Sequence, residues 1–177
     1  MWSDRRGSRM QKRVLILLSN GFEVMEAGCF TEVFGWASIY GEAGFEQLSV
    51  GLRSPVTTTF GFDVLPEKLL TEINAEEFDA LVIPGGFADA GFYEEALSEP
   101  FLDVVRNFDR RQAPIAAVCV GSLSLAAAGV LNGRRATVYH QIGGTRKVEL
   151  ESHGTVFIDE PLVMDGHLMT STGPGTG

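Results

Sequence analysis

Short, uninterrupted runs of apolar residues alternate along the chain with segments whose apolar residues recur at helical spacing. Such runs are typical of strands buried on both faces, and they occur at Val14–Leu18, Leu48–Leu52, Ala80–Ile83 and Ile115–Val118. Helical spacing and end signals predict helices over Glu26–Tyr40, from an N-cap at Ser98 to about Arg111, and over Gly121–Ala128. This alternation predicts an α/β three-layer sandwich with a mostly parallel, flavodoxin-like central sheet.

Two hairpins and one further strand complete the predicted elements. Val163–Leu168 predicts a tight hairpin with Asp165-Gly166 in the turn, and residues 56–65 predict a second hairpin around Gly61. A strand is expected at Ala136–Tyr139. The chain shows no repeat or linker, so we expect a single domain over residues 12–177. Residues 1–11 are expected to form a flexible basic tail.

Composition and charge restrict the function classes. The 177 residues suit one domain, and 45% hydrophobic with 21% charged residues argues against disorder. No apolar run approaches the roughly 18 residues that span a bilayer, so no membrane role is expected. The net charge is −9, and residues 14–177 alone carry −13, which disfavours nucleic acid as a partner. Two cysteines are too few for a disulfide scaffold, which indicates a reducing, cytoplasmic setting.

Cys119 is the first candidate for chemistry. It ends a buried strand, and the small residues Val120, Gly121 and Ser122 open the following helix. This strand–turn–helix order predicts a nucleophile elbow, which holds the side chain above the carboxyl edge of the sheet. A helix N-terminus beside the sulfur favours the thiolate. The alternative is a buried structural cysteine, which the elbow context makes the less favoured interpretation.

Two neighbouring segments are expected at the same edge. Gly85 and Gly86 end a strand after Pro84, and their N–H groups are candidates for an oxyanion hole, although an ordinary turn has the same sequence. Glu23 and Glu26 follow the first strand and are candidate proton carriers for Cys119. Their alternative role is that of solvated acids in the first turn of a helix.

Histidine and metal chemistry have little support in the sequence. His140 follows Tyr139 at the end of the predicted strand, so either side chain is a candidate third member of the site. No pair of residues has metal-ligand spacing, and no nucleotide-binding loop is present, so neither a metal nor a cofactor is expected.

Four segments in order resemble the ThiJ/PfpI family, the superfamily of the parkinsonism-associated deglycase, within the class I glutamine amidotransferase-like fold. The segments are Gly21–Glu26, Asp79–Gly86, Ala117–Gly121 and Thr170–Thr176. The resemblance covers nearly the whole chain from Lys12.

The resemblance implies roles for individual residues. It implies Cys119 as the elbow nucleophile and Glu26 as its hydrogen-bonded carboxyl partner, with Glu23 as a second candidate. It also implies an anion pocket formed by N–H groups at Gly86 and Val120, and a homodimer. The family's usual histidine position holds Tyr139, and His140 comes one residue later. The family normally continues into a helix that covers the sheet, and the chain as given stops at Gly177.

The resemblance favours a cofactor-free enzyme that uses water and attacks small electrophiles such as methylglyoxal, in the manner of a glyoxalase or deglycase. Residues 119–129 are similar to isocyanide hydratases, which makes isocyanide hydration the second hypothesis. The third hypothesis is a redox sensor or chaperone in which Cys119 is oxidised to a sulfinic acid. The fourth is a ligand-sensing domain of a longer regulator.

Overall fold

A seven-stranded sheet forms the centre of the fold in the computed structural model, which describes residues 11–41 and 44–175. The strands and helices follow one another in the order β1 (Gln11–Leu18), α1 (Val24–Tyr40), β2 (Gly44–Gly51), β3 (Val56–Thr57), β4 (Asp63–Val64), β5 (Lys68–Leu69), β6 (Ala80–Ile83), α2 (Phe92–Ala96), α3 (Glu99–Arg110), β7 (Ile115–Val118), α4 (Ser122–Ala127), β8 (Arg135–Ala136), α5 (Arg146–Ser152), β9 (Val156–Phe157), β10 (Leu162–Asp165) and β11 (Leu168–Ser171). Four short 3₁₀ turns are described at Leu70–Glu72, Ala75–Glu77, Ala88–Ala90 and Cys119–Gly121.

The order of strands across the sheet is β10-β11-β7-β6-β1-β2-β5. All neighbours pair in parallel except β10, which pairs antiparallel with β11. The central order β2-β1-β6-β7-β11 is that of flavodoxin-like folds, which confirms the predicted fold class. The chain moves in opposite directions across the sheet after β1 and after β6, so right-handed crossovers place α1 and α3 on opposite faces.

The core follows from the apolar runs seen in the sequence. Val14–Leu18 of β1 is fully buried, and Leu81–Ile83 of β6 is buried in the same layer. The helix α3 is amphipathic, and its inward side consists of Phe101, Leu102, Val104, Val105 and Phe108. These packed strands end at one edge of the sheet, and they fix the position of the loops that follow them.

Several predicted boundaries differ from the observed ones. The helix predicted over Gly121–Ala128 is a 3₁₀ turn followed by α4, and it ends before Gly129, whose φ of +81° stops a helix. Both predicted hairpins are present, but Asp165 pairs with Leu168, so the turn lies at Gly166-His167 rather than at Asp165-Gly166.

The strand predicted at Ala136–Tyr139 is wrong beyond Ala136. Only Arg135 and Ala136 are in β8, because the N–H of Thr137 donates to the Thr170 hydroxyl at 2.9 Å instead of to a neighbouring strand. The predicted tail lies outside the described residues up to residue 10, and Gln11 already begins β1. None of the helices in the described ranges has the length and apolar character needed to cross a bilayer.

Candidate active site

Four parallel strands deliver their following loops to one place at the carboxyl edge of the sheet. These strands are β1, β6, β7 and β11, and their register is fixed by the pairs Ile83↔Ala117 and Val118↔Ser171. In open α/β sheets, ligands bind outside the carboxyl ends of the strands. This edge is therefore the candidate active site.

Cys119 follows directly on Val118, the last residue of β7, and has a φ of +59°. A positive φ is uncommon for a residue other than glycine, and strained backbone of this kind is concentrated at functional sites. The residue is 8% exposed. The turn needs glycine at position 121, where a Cβ would stand 2.9 Å from the Ile83 carbonyl oxygen.

Glu26 lies in the first turn of α1 and is fully buried beside Cys119. Its Oε2 accepts a hydrogen bond from the Gly85 N–H at 2.7 Å, and its Oε1 has no hydrogen-bond partner among the described residues. Gly85 and Gly173 enclose the pair, since a Cβ on either would lie within 3 Å of a Glu26 oxygen and of the Cys119 Cβ. Glycine at both positions allows the carboxyl group and the thiol to be packed this closely.

Burial raises the pKa of Glu26 to about 7. Hydrogen bonds from the Gly85 N–H and the Cys119 thiol lower the pKa, and the charge of Glu23 raises it. A buried carboxyl group is harder to ionise because the charged form loses its hydration. Glu26 therefore exchanges its proton near neutral pH, the range in which a general acid–base works best.

The pKa of the Cys119 thiol is raised, first by burial and then by the negative charge of Glu26. A hydrogen bond from the Val120 N–H acts in the opposite direction. The predicted preference for thiolate is therefore wrong for the resting site. Its physical reason is that burial and the neighbouring charge of Glu26 outweigh the hydrogen bond from the Val120 N–H. The sulfur is a thiol that needs a base beside it.

The remaining predicted site residues are the second candidate proton carrier Glu23 and the anion-pocket donors Gly86 and Val120. Glu23 precedes α1, its N–H donates to the Gly85 carbonyl oxygen at 2.9 Å, and its charge raises the pKa of both Glu26 and Cys119. Gly86 forms an isolated bridge with Phe22. A hydrogen bond from the Val120 N–H lowers the pKa of Cys119, so this donor lies next to the reacting sulfur.

Tyr139 and His140 contribute less than predicted. The Tyr139 N–H donates to the Cys119 carbonyl oxygen at 3.3 Å, but its hydroxyl accepts a bond from Gln141 at 2.6 Å. In His140, Nδ1 is 2.8 Å from the Val138 carbonyl oxygen and Nε2 is 3.0 Å from Asp159 Oδ1. Both ring nitrogens are thus engaged away from the sulfur, and the structure does not bring His140 to Cys119.

Two features of the site were missed in the sequence. Gly173 packs against Glu26 and Cys119, and a glycine two residues after a buried strand that neighbours β7 was a usable signal. Tyr93 lies close enough for the charge of Cys119 to raise its pKa, but it is on the five-residue helix α2, which is too short for a periodic pattern. Within the described ranges, no three His, Cys, Asp or Glu side chains are grouped to hold a metal ion.

Comparison with known proteins identifies the family. The model of the DJ-1/PfpI family matches residues 12–177. A protein named deglycase from Pyrococcus abyssi is 33% identical over 164 residues, which cover 92% of this chain and 91% of the relative. Deglycase PfpI from Pyrococcus furiosus is 29% identical, with coverage of 92% and 91%. The chain belongs to the DJ-1/PfpI family.

Solved structures agree with this assignment. The crystal structure of DJ-1beta from Drosophila melanogaster has a TM-score of 0.80 at 29% identity, covering 94% of this chain and 84% of that one. A two-domain protein from Anabaena variabilis, with DJ-1/ThiJ/PfpI-like and ferritin-like domains, has a TM-score of 0.76 at 30% identity. This chain covers 44% of that longer protein.

Proposed function

We propose that this protein is a cofactor-free, cysteine-dependent enzyme that acts on small reactive aldehydes such as methylglyoxal, with glyoxalase or deglycase activity. The observation that carries the proposal is the buried pair of Cys119 and Glu26, held between Gly85 and Gly173. Relatives named deglycases support the same class of reaction. Aldehydes suit this pair because a thiol adds to a carbonyl carbon once a base removes its proton.

The first step forms a hemithioacetal. The Cys119 sulfur bonds to the aldehyde carbon, the electron pair of the C=O bond moves to oxygen, and Glu26 takes the thiol proton. In this proposal the N–H groups of Val120 and Gly86 stabilise the negative oxygen until Glu26 returns the proton to it. A pKa of about 7 lets Glu26 act as base and then as acid.

The remaining steps need only water. With methylglyoxal, the hydrogen on the aldehyde carbon moves to the neighbouring ketone carbon through Glu26, which gives a thioester of lactic acid. Water then cleaves the thioester, releases lactate and restores the thiol. One carbon is oxidised and its neighbour is reduced, so no external oxidant or reductant takes part.

Cys119→Ser tests the proposal, with Cys29→Ser as the matched control. Cys29 lies half-buried on α1 and is not part of the pair. We expect Cys119→Ser to lower lactate formation from methylglyoxal by about 100-fold or more, because a neutral hydroxyl is a far weaker nucleophile, while Cys29→Ser keeps the parent rate. A Cys119→Ser protein with the parental rate would exclude the mechanism.

Isocyanide hydration and redox sensing use the same cysteine and are separated by direct assays. An isocyanide supplied beside methylglyoxal distinguishes the two enzymatic reactions. Oxidation to a sulfinic acid needs the same deprotonated sulfur as catalysis, so the relatives named deglycases are what favours an enzyme. We therefore place catalysis ahead of sensing, and peroxide treatment followed by mass spectrometry is the check.

A further inference from the structure

Tyr93 and Arg146 contact each other close to the loop that carries Gly85 and Gly86, and neither has a part in the mechanism above. Tyr93 is on α2, which packs directly on the loop that carries Gly85 and Gly86. The ring of Phe92 occupies the place of a Gly86 side chain, since a Cβ there would lie 2.1 Å from it. Tyr93 packs edge-on against Phe92 with the ring centroids 5.5 Å apart, so its position relative to the site is fixed.

The Tyr93 hydroxyl oxygen is buried, and the Arg146 side chain is the neighbour that offers it a hydrogen bond. A tyrosine hydroxyl that accepts from a guanidinium keeps its own proton to donate to a ligand oxygen. Burial raises the pKa of Tyr93 to about 12, and the charge of Cys119 contributes in the same direction.

Arg146 supplies the positive charge next to this hydroxyl. It begins α5, and its guanidinium carbon lies 5.3 Å from the centroid of the Tyr93 ring. Its ion-pair partner in the described part of the chain is Glu149, at a loose 3.8 Å, and its side chain is 29% exposed. The planar N–H groups are thus partly shielded from water and not committed to a close carboxylate, which is the state required for binding a carboxylate from a ligand.

We propose that Tyr93 and Arg146 form a carboxylate-binding subsite, so that the preferred substrates are 2-oxoaldehydes that carry a carboxylate group. The aldehyde carbon reacts at Cys119, and the carboxylate is bound by the guanidinium and the hydroxyl. The reaction in this inference rests on the proposed function, whereas the carboxylate-binding subsite does not. With 4,5-dioxopentanoate as the probe, addition of water gives 2-hydroxyglutarate by the same internal transfer of hydrogen.

The kinetic test compares 4,5-dioxopentanoate with its neutral methyl ester. We expect the parent protein to prefer the acid in kcat/KM by about 10-fold or more, because a charge-assisted hydrogen bond to the carboxylate is lost in the ester. We expect Arg146→Gln to lower kcat/KM for the acid and to leave kcat/KM for the ester unchanged, so that the preference is lost. Tyr93→Phe is expected to reduce the preference. Arg135→Gln is the matched control, since it removes the same charge from an exposed residue that contacts Met164 and Asp165.

Binding is measured separately on a Cys119→Ala protein with 4-oxopentanoate, an unreactive carboxylate of similar shape, by calorimetry. We expect binding that weakens by about 10-fold or more when Arg146→Gln is added and that is unchanged by Arg135→Gln. Equal binding with and without Arg146→Gln, or equal rates for acid and ester, overturns the subsite. Loss of turnover for both dicarbonyls with binding intact overturns the proposed function and leaves the subsite standing.

Discussion

Glu26 is the residue at which burial works against ionisation. Its carboxyl group is fully buried, and of its two oxygens one accepts from Gly85 while the other has no partner among the described residues. The hydrogen bonds from the Gly85 N–H and the Cys119 thiol do not replace the hydration of a carboxylate, so the folded state favours the protonated form. The hydration lost on burial lets Glu26 carry a proton near neutral pH. Above that pH the same loss destabilises the folded protein, because the carboxyl group must then be ionised.

Replacement of Glu26 by glutamine is therefore expected to stabilise the protein at alkaline pH. The pKa rises from 4.5 to about 7 on folding, so the folded state binds more protons between these values and stability falls as the pH rises through them. Glu26→Gln removes this loss. Its free energy of unfolding exceeds that of the parent by about 1–3 kcal/mol at pH 8, and the advantage disappears at pH 4.

Urea unfolding at a series of pH values measures this difference. Glu23→Gln is the matched control, because it removes an equal charge from a half-exposed position in the same segment. A parent protein that gains stability between pH 5 and pH 7 relative to Glu26→Gln would contradict the assignment. Activity is expected to fall in Glu26→Gln, so the two readouts move in opposite directions.

At the scale of elements, the loop after β6 and the helix α2 depend on each other through Gly86. A methyl group at this position would lie 2.1 Å from the Phe92 ring and 2.4 Å from the Gly21 carbonyl oxygen. Neither neighbour has room to move, since Phe92 is fully buried and the Gly21 carbonyl accepts bonds from Phe87 and Thr59. The close packing of the Gly86 backbone against the Phe92 ring therefore holds α2, and with it Tyr93, at the site.

Gly86→Ala is expected to destabilise the protein by about 1–3 kcal/mol or more, because α2 must shift to admit the methyl group. Gly28→Ala is the matched control. Gly28 lies in α1, a Cβ there meets nothing within 4 Å, and alanine in a helix is favoured over glycine by up to about 1 kcal/mol. Thermal unfolding measures the stability of both variants. Equal melting temperatures for Gly86→Ala and Gly28→Ala would refute the packing role given to Gly86.

The sequence predicted those elements whose pattern is set by burial. β6 and β7 were located residue for residue, since both are continuous apolar runs in the middle of the sheet. The same runs placed Glu26, Gly85 and Cys119 at one edge. The helices α2 and α5 were not predicted, because five and seven residues do not establish a period. The strand at 136–139 failed because the Thr137 N–H donates to the hydroxyl of Thr170, distant in sequence, instead of to a neighbouring strand.

At the scale of the whole molecule, α1 has an unusual surface. Only Glu26 and Phe30 of its 17 residues are buried, yet its outward side is not polar. The exposed apolar residues on this helix are Val24, Met25, Val33, Trp36, Ile39 and Tyr40. A helix that is apolar all round is normally buried on all sides. We therefore propose that a partner packs on this side of α1, and the family resemblance implies that the partner is a second copy of the chain.

The homodimer is tested by sedimentation velocity of the full chain. We expect the parent protein to sediment as a dimer and Val33→Glu to sediment as a monomer, because a carboxylate in an apolar interface loses its hydration without a compensating partner. Val156→Glu is the control, since Val156 is similarly exposed but lies on β9. A monomeric parent protein, or a Val33→Glu dimer as stable as the parent, would refute the interface. Since α1 also carries Glu26, a true interface here predicts that Val33→Glu lowers activity as well as association, whereas Val156→Glu leaves both unchanged.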